Sequence, residues 1–123
     1  KQSPATDTGV VATRSQGFWI FKGKLAGYAF SSSWPKESTN FDGGKVAQIK
    51  KGQSTRSDVV RLLGKPGGRY VYPMIPSTSG EAIAYLYIES RYGERTASTK
   101  HLIVTLNKQD IVTDVSYLNT RKE

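Results

Sequence analysis

The sequence contains no cysteine and only one histidine, which removes several kinds of chemistry. Without cysteine there is no disulfide framework, no thiolate metal site and no thiol nucleophile. His101 has no serine and aspartate partners evident in the sequence, as a catalytic triad would require. The carboxylates are scattered and do not form a coordination set. We therefore expect a non-enzymatic protein that uses no metal and no cofactor.

Long apolar runs and phosphate-binding glycine patterns are also missing. No stretch approaches the roughly 18 apolar residues of a membrane span, and no signal peptide is present. The pairs Gly43-Gly44 and Gly67-Gly68 lack the spacing of nucleotide-binding loops. Because the chain starts at Lys1 without a methionine, we expect a processed N-terminus.

Acidic residues are few relative to basic ones. Lys and Arg outnumber Asp and Glu by 18 to 10 in 123 residues, which gives a formal net charge of +8. This balance favours polyanions or anionic membrane surfaces as partners, with plain solubility as the alternative. The basic residues are spread over every segment, and this distribution argues against nucleic acid as the partner. The length predicts one domain.

The strongest local signals lie between positions 41 and 66 and predict two short helices. Thr55 and Asp58 have the spacing of a capping box, which marks a helix start. Gly64 and Pro66 mark its end, so the helix is about nine residues long and closes in a left-handed glycine cap. Its apolar stripe consists of Val59, Leu62 and Leu63. A shorter helix precedes it, beginning at Asp42 and closed by Gly52.

Three later runs, at 82–90, 101–107 and 111–118, have the β-branched and aromatic composition of strands. The Asn-Lys-Gln-Asp turn at 107–110 predicts that the last two form a hairpin. The predicted fold class is α+β, with two short helices packed on a three-stranded antiparallel sheet in the order ααβββ, preceded by an N-terminal extension. The predicted segments are a flexible leader at 1–16, an aromatic-rich extension at 17–40, the domain at 41–118 and a tail at 119–123.

The aromatic-rich extension is the candidate interaction site. Its glycines at 17, 23 and 27 argue against one long helix and favour short extended pieces around a turn at 22–24. One interpretation is that the stretch covers the core or adds an edge strand. The other is an exposed contact surface, on which aromatic rings and ammonium groups meet a lipid headgroup region or an acidic protein. The candidate residues are Phe18, Trp19, Phe21, Lys22, Lys24 and Tyr28.

The helical region also resembles a known family. The residues that carry the resemblance are Ile49, Gly52, Ser54, Thr55, Val59, Leu63, Gly64 and Pro66. Their order is similar to the I-x-x-G-x-[ST]-T…V…LLG-x-P signature of the SmpA/OmlA, or BamE-like, small outer-membrane lipoproteins. Two departures are Asp110, where the family has a turn glycine, and the absence of the family's acylated cysteine. The stretch at 17–30 has no counterpart in the family pattern.

The resemblance implies a role as well as a fold. It implies a periplasm-facing lipoprotein of the Gram-negative envelope, anchored to the outer membrane through a lipidated N-terminal cysteine that this chain does not contain. Such a protein serves outer-membrane assembly or envelope integrity by contacting envelope proteins and, as a further candidate partner, anionic phospholipid. The alternative is a free periplasmic inhibitor or adaptor of related α+β fold.

Overall fold

The computed structural model describes residues 10–11, 14–34, 38–76, 78–91 and 98–120, and most of them belong to one antiparallel sheet. The strands are β1 (Val10–Val11), β2 (Arg14–Phe21), β3 (Lys24–Ser32), β4 (Gly68–Tyr70), β5 (Glu81–Arg91), β6 (Ser98–Leu106) and β7 (Val112–Asn119). Strands β2 to β7 lie side by side in chain order, and β1 pairs with the far end of β5. The helices are a 3₁₀ helix, Gly43–Gln48, and α1, Arg56–Leu63. Neither helix in the described ranges is long and apolar enough to cross a membrane.

The predicted fold class, two helices on a three-stranded sheet, is wrong because the sheet has six neighbouring strands and only two small helices lie beside it. The extra strands are β2, β3 and β4. Lys22 and Gly23 take φ of 50° and 78°, the dihedrals that close a two-residue hairpin turn, so the aromatic stretch folds back on itself. The three-residue β4 then joins this hairpin to β5. The three predicted C-terminal strands are present as β5, β6 and β7.

The predicted N-terminal cap of α1 is confirmed. The Thr55 side chain accepts from the Asp58 amide at 3.3 Å, and the Thr55 amide donates to the Asp58 carboxylate at 3.0 Å. Gly64 ends the helix with a positive φ of 90°, as predicted, but its ψ of −168° lies outside the left-handed helical region, so the predicted left-handed cap is wrong. The Gly64 carbonyl accepts from the Tyr85 hydroxyl at 2.7 Å. Val59 is the fully buried residue of the helix, whereas Leu63 is only partly buried.

The first predicted helix is a 3₁₀ helix that ends at Gln48, before the predicted stop. Asp42 caps it by accepting from the Gly44 amide at 2.9 Å. Gly52 has φ of +78° in the turn that follows, and its amide donates to the Val112 carbonyl at 2.7 Å. The buried Ser54 hydroxyl accepts from the Lys50 amide at 2.8 Å, which tightens the same turn. Of the remaining signature residues, Ile49 is buried and Pro66 is half-buried.

The main core lies between the helices and strands β5, β6 and β7. In the described part of the chain it includes no side chain from β2, β3 or β4. Its buried members are Phe41, Ile49, Val59, Ile83, Tyr85, Tyr87, Leu102, Val104, Leu106 and Val112. A smaller cluster, Ala29, Tyr70, Ile75, Ala82 and Ala84, covers the opposite face of the sheet. The helices therefore leave the hairpin formed by β2 and β3 uncovered on their side.

The base of this hairpin, the end away from its turn, is bonded to the rest of the sheet beyond the first residue of β4. Thr39 bridges β3 and β5 there, because its amide donates to the Ser32 carbonyl at 2.9 Å and its hydroxyl donates to the Leu86 carbonyl at 2.6 Å. The Ser31 hydroxyl accepts from the Ile88 amide at 2.9 Å. These bonds join β3 to β5 where no strand lies between them, so the hairpin is anchored at its base.

The predicted segment boundaries stay predictions. Positions 1–9 and 12–13 of the leader and 121–123 of the tail lie outside the described residues. Strand β1 and the first residues of β2 fall within the predicted leader.

Candidate functional site

The six predicted contact residues all lie on the hairpin, but they are divided between its two faces. The register pairs Phe18 with Tyr28 and Trp19 with Gly27. Because successive side chains of a strand point to opposite faces, Phe18 and Tyr28 lie on the helix side of the sheet and Trp19 on the other. A bulge next to Trp19 shifts the register by one residue toward the turn. The predicted residues therefore do not form one continuous surface.

Trp19 packs against Tyr70 on the face of the sheet opposite the helices. Its ring meets the edge of Tyr70 at 5.5 Å between centroids and 75° between planes, and 38% of the residue is exposed. A glycine makes room for each of the two rings, since a Cβ at Gly17 would lie 3.0 Å from the Trp19 ring and one at Gly27 would lie 2.4 Å from the Tyr70 ring. Trp19 therefore has a feature of each interpretation, since its ring packs on Tyr70 and the residue is still among the exposed large apolar ones.

The helix side of the hairpin carries its most exposed apolar side chains, although Phe21, next to the turn, is also 43% exposed. Phe18, Ile20 and Leu25 are 60%, 64% and 48% exposed. Ile20 pairs directly with Leu25, next to the pair of Phe18 and Tyr28. We call Phe18, Ile20, Leu25 and Tyr28 the hairpin face. Large apolar side chains grouped in this way on one surface are typical of interaction sites.

Ile20 and Leu25 were not among the predicted site residues. A signal for them existed in the sequence, because a two-residue turn at Lys22 and Gly23 pairs position 20 with position 25. The predicted turn is correct, but the six predicted residues were chosen because they are aromatic or basic. The register of the two strands decides which of them share a face.

The tip of the hairpin is basic. Lys22 and Lys24 are both exposed, and the Lys22 ammonium lies 5.4 Å from the centroid of the Phe21 ring. No aspartate or glutamate occurs between positions 8 and 36 of the sequence. The tip therefore carries positive charge with no acidic residue close to it in the sequence, and it favours an anionic partner.

A second charged cluster ties α1 to the sheet and to the β6–β7 turn. Arg56 contacts both Glu81 and Asp110, and Arg69 also contacts Glu81. Burial alone would raise the pKa of Glu81, but hydrogen bonds from Arg69 and Arg56 outweigh it and hold the pKa below its usual value. Asp110, then Glu81, raise the pKa of Arg56 against the effect of its burial. Because each arginine already has a carboxylate partner, the cluster has a structural role.

His101 lies on the face of the sheet opposite the helices. Its Nε2 is 3.3 Å from the Tyr70 hydroxyl, and burial lowers the pKa of the imidazole. Burial also raises the pKa of Tyr70. Within the described ranges no group of three or more His, Asp or Glu side chains has the arrangement of a metal site.

Comparisons with protein-family models, curated proteins and solved structures found no match to this chain. The resemblance to the SmpA/OmlA family therefore stays a prediction from the signature residues.

Proposed function

We propose that this chain is a non-enzymatic binding module that contacts its partners through the hairpin face. The observation that carries the proposal is the exposure of Phe18, Ile20 and Leu25 on a hairpin whose tip holds two lysines. Burying one such side chain stabilises a complex by about 1.5–3 kcal/mol before the costs of association. A surface of this kind is therefore able to supply most of the free energy of a moderate-affinity contact.

The cell-envelope part of the proposal is supported by the family resemblance. On that basis the module is a periplasm-facing lipoprotein of the Gram-negative outer membrane, and its partners are envelope proteins and anionic phospholipid. The signature residues do not form the contact surface themselves, since Gly52 and Gly64 have positive φ and Thr55 caps a helix. They support a fold relationship, and the hairpin supports the binding role.

Anionic phospholipid suits the hairpin tip chemically. Apolar and aromatic side chains partition into the headgroup boundary of a bilayer. Lys22 and Lys24 lie at the tip, where their ammonium groups can meet the lipid phosphates. Each lysine near an anionic membrane contributes about 1 kcal/mol, and salt screens that contribution. Binding is therefore expected to need both the apolar face and the lysines.

Vesicle flotation tests the hairpin as the contact surface. We expect the protein to float with phosphatidylglycerol vesicles, to remain unbound with phosphatidylcholine vesicles, and to be released as salt is raised. The double variant Phe18→Ser/Ile20→Ser should lose flotation. The matched control is Leu118→Ser, which removes a 55% exposed apolar side chain from β7, at the other edge of the sheet.

Two results would contradict the proposal. Flotation of the double variant equal to that of the parent would show that the hairpin face is not the lipid contact. Equal losses of flotation in the double variant and in Leu118→Ser would indicate nonspecific hydrophobic adsorption to the vesicles.

The alternative function, a free periplasmic inhibitor or adaptor, uses the same hairpin without a membrane anchor. Mass spectrometry of the native protein's N-terminus distinguishes the two. A diacylglyceryl cysteine would support the lipoprotein, and an unmodified N-terminus would support the free adaptor.

A further inference from the structure

A cleft of about 330 Å³ lies between the tip of the hairpin and the chain that leaves β4. It forms because β3 continues toward the turn beyond its paired residues Gly27–Ala29, whereas β4 ends at Tyr70. The walls are Phe21 and Leu25 on one side and Val71 and Tyr72 on the other, with Ala26 between them. Its position separates it from Phe18 and Ile20, which do not line it.

Backbone hydrogen bonds hold the two walls in place. The Val71 amide donates to the Ala26 carbonyl at 2.8 Å, and the Met74 amide donates to the Val71 carbonyl at 2.8 Å. Ala26 itself is buried. The cleft is thus largely formed before any ligand arrives, which lowers the conformational cost of binding.

The lining combines apolar side chains with positive charge. Phe21, Leu25 and Tyr72 are each among the exposed large apolar residues of the protein, and Lys22 and Lys24 complete the rim. No aspartate or glutamate lines the cleft. An occupant with an apolar group and adjacent negative charge is complementary to it, whereas a cationic or purely polar occupant is not.

We propose that this cleft receives a large apolar side chain from an acidic, extended segment of a partner protein. Ligand pockets span about 300–1,000 Å³, so this cleft is small and suits one anchoring side chain and its neighbours. A protruding side chain enters a concave cleft, but the surface of a bilayer is flat. Carboxylates on either side of the anchor then reach Lys22 and Lys24. The inference rests on the proposed binding role and names the class of partner.

The first experiment follows backbone amides of the ¹⁵N-labelled protein by NMR as the peptide Ac-Glu-Asp-Phe-Glu-Asp-NH₂ is added. We expect saturable shifts at the amides of 21–26 and 71–72. Replacing the peptide's phenylalanine with alanine should weaken binding roughly tenfold, because the apolar burial is lost. Replacing its four acidic residues with glutamine and asparagine should abolish saturation at the same peptide concentration. The absence of saturable shifts at these amides with the acidic phenylalanine peptide at millimolar concentration would overturn the proposal.

The second experiment uses variants to separate the cleft from the hairpin face. Phe21→Ser and Tyr72→Ser, which change cleft residues outside the hairpin face, should each weaken binding of the acidic peptide severalfold, and Lys22→Gln/Lys24→Gln should weaken it further. Leu118→Ser is the matched control and should bind as the parent does, because Leu118 is an exposed apolar residue of β7 at the other edge of the sheet and lies outside the cleft. Loss of peptide binding in Phe18→Ser/Ile20→Ser with retention in Phe21→Ser and Tyr72→Ser would place the peptide on the hairpin face and overturn the proposal.

The two proposals fail in different experiments. Normal vesicle flotation that depends on Phe18 and Ile20, together with no peptide shifts, would overturn the cleft inference and leave the binding module in place. Peptide binding in the cleft without flotation would remove the lipid partner only. Shifts at 21–26 and 71–72 that appear with dispersed short-chain phosphatidylglycerol and not with the peptide would show that lipid occupies the cleft, and the peptide proposal would be wrong.

Discussion

Strands β6 and β2 belong to one sheet but differ in the burial of their large apolar side chains. In β6, Leu102, Val104 and Leu106 have no exposed surface, whereas Phe18 and Ile20 in β2 are more than half exposed. The cause is the placement of the helices, which pack over β5, β6 and β7 and not over the hairpin. An apolar strand pattern therefore identifies a face that needs a covering element. The covering element can belong to the same chain or to a partner.

Truncating one side chain in each region gives the largest expected difference. Leu106→Ala should lower the free energy of unfolding by about 2–5 kcal/mol, because the site is fully buried and a cavity remains. Ile20→Ala should change it by less than about 0.5 kcal/mol, as is usual for exposed positions. Urea denaturation of both variants measures the two values. Similar losses in the two variants would show that the hairpin face is covered within the monomer, and the comparison would no longer hold.

A substitution at Gly27 tests how the hairpin is joined to the rest of the sheet. A Cβ there would lie 2.4 Å from the Tyr70 ring and 3.2 Å from the Arg69 carbonyl oxygen, so both the ring and β4 would have to move. We expect Gly27→Ala to cost about 1–3 kcal/mol, the usual range for overpacking. Thermal and urea unfolding check this. Ser116→Ala, at an exposed position of β7, is the control and should unfold as the parent does.

The glycine that ends α1 tests the helix side of the comparison. Gly64 has φ of 90° and ψ of −168°, which lies outside the left-handed helical region and is accessible almost only to glycine. Gly64→Val should therefore cost about 1 kcal/mol or more, and Gly64→Asn should cost a similar amount. Asparagine is tolerated better than valine in a left-handed cap, but it has no such advantage at the dihedrals of Gly64. Equal stability of Gly64→Val and the parent in denaturant would contradict the cap.

The local signals in the sequence were sufficient for α1 and for the C-terminal hairpin. Thr55, Asp58 and Gly64 act within one or two turns of helix, so their roles can be deduced without knowledge of the rest of the fold. The same holds for Asn107, whose side chain accepts from the Gln109 and Ile111 amides at 2.9 and 3.1 Å. Chemistry confined to a few neighbouring residues is what a sequence reveals most directly.

The features that were missed depend on partners distant in the chain. Strand β4 has three residues, too few for a periodic pattern, and it exists because β3 and β5 flank it. A register shift at Thr105 and Leu106 places Val112 in the core, which strict alternation from Ile111 does not predict. The contact residues were identified on the correct hairpin, but their division into two faces required the register.

Side-chain contacts connect the hairpin to β6 across the face opposite the helices. Trp19 meets the edge of Tyr70, and the Tyr70 hydroxyl lies 3.3 Å from Nε2 of His101. These contacts therefore link β2 to β6 on the face of the sheet opposite the helices, whereas the hairpin face lies on the helix side. Protonation of the His101 imidazole is the mildest way to disturb these contacts.

The smallest expected effect is a pH dependence of stability that comes from His101. Burial lowers the pKa of this imidazole below its usual value of 6.5, so the folded state favours the neutral ring. The unfolded chain therefore binds more protons as the pH falls from about 6.5 toward the lowered pKa, and the free energy of unfolding should decrease across that window. Above 6.5 the stabilisation is fully present. The carboxylates with lowered pKa, Asp58 and Glu81, lose their contribution only at more acidic pH. Urea titrations at a series of pH values between about 5 and 7.5 should show a slope for the parent that His101→Gln removes, and an unchanged slope in that variant would assign the pH dependence to another group.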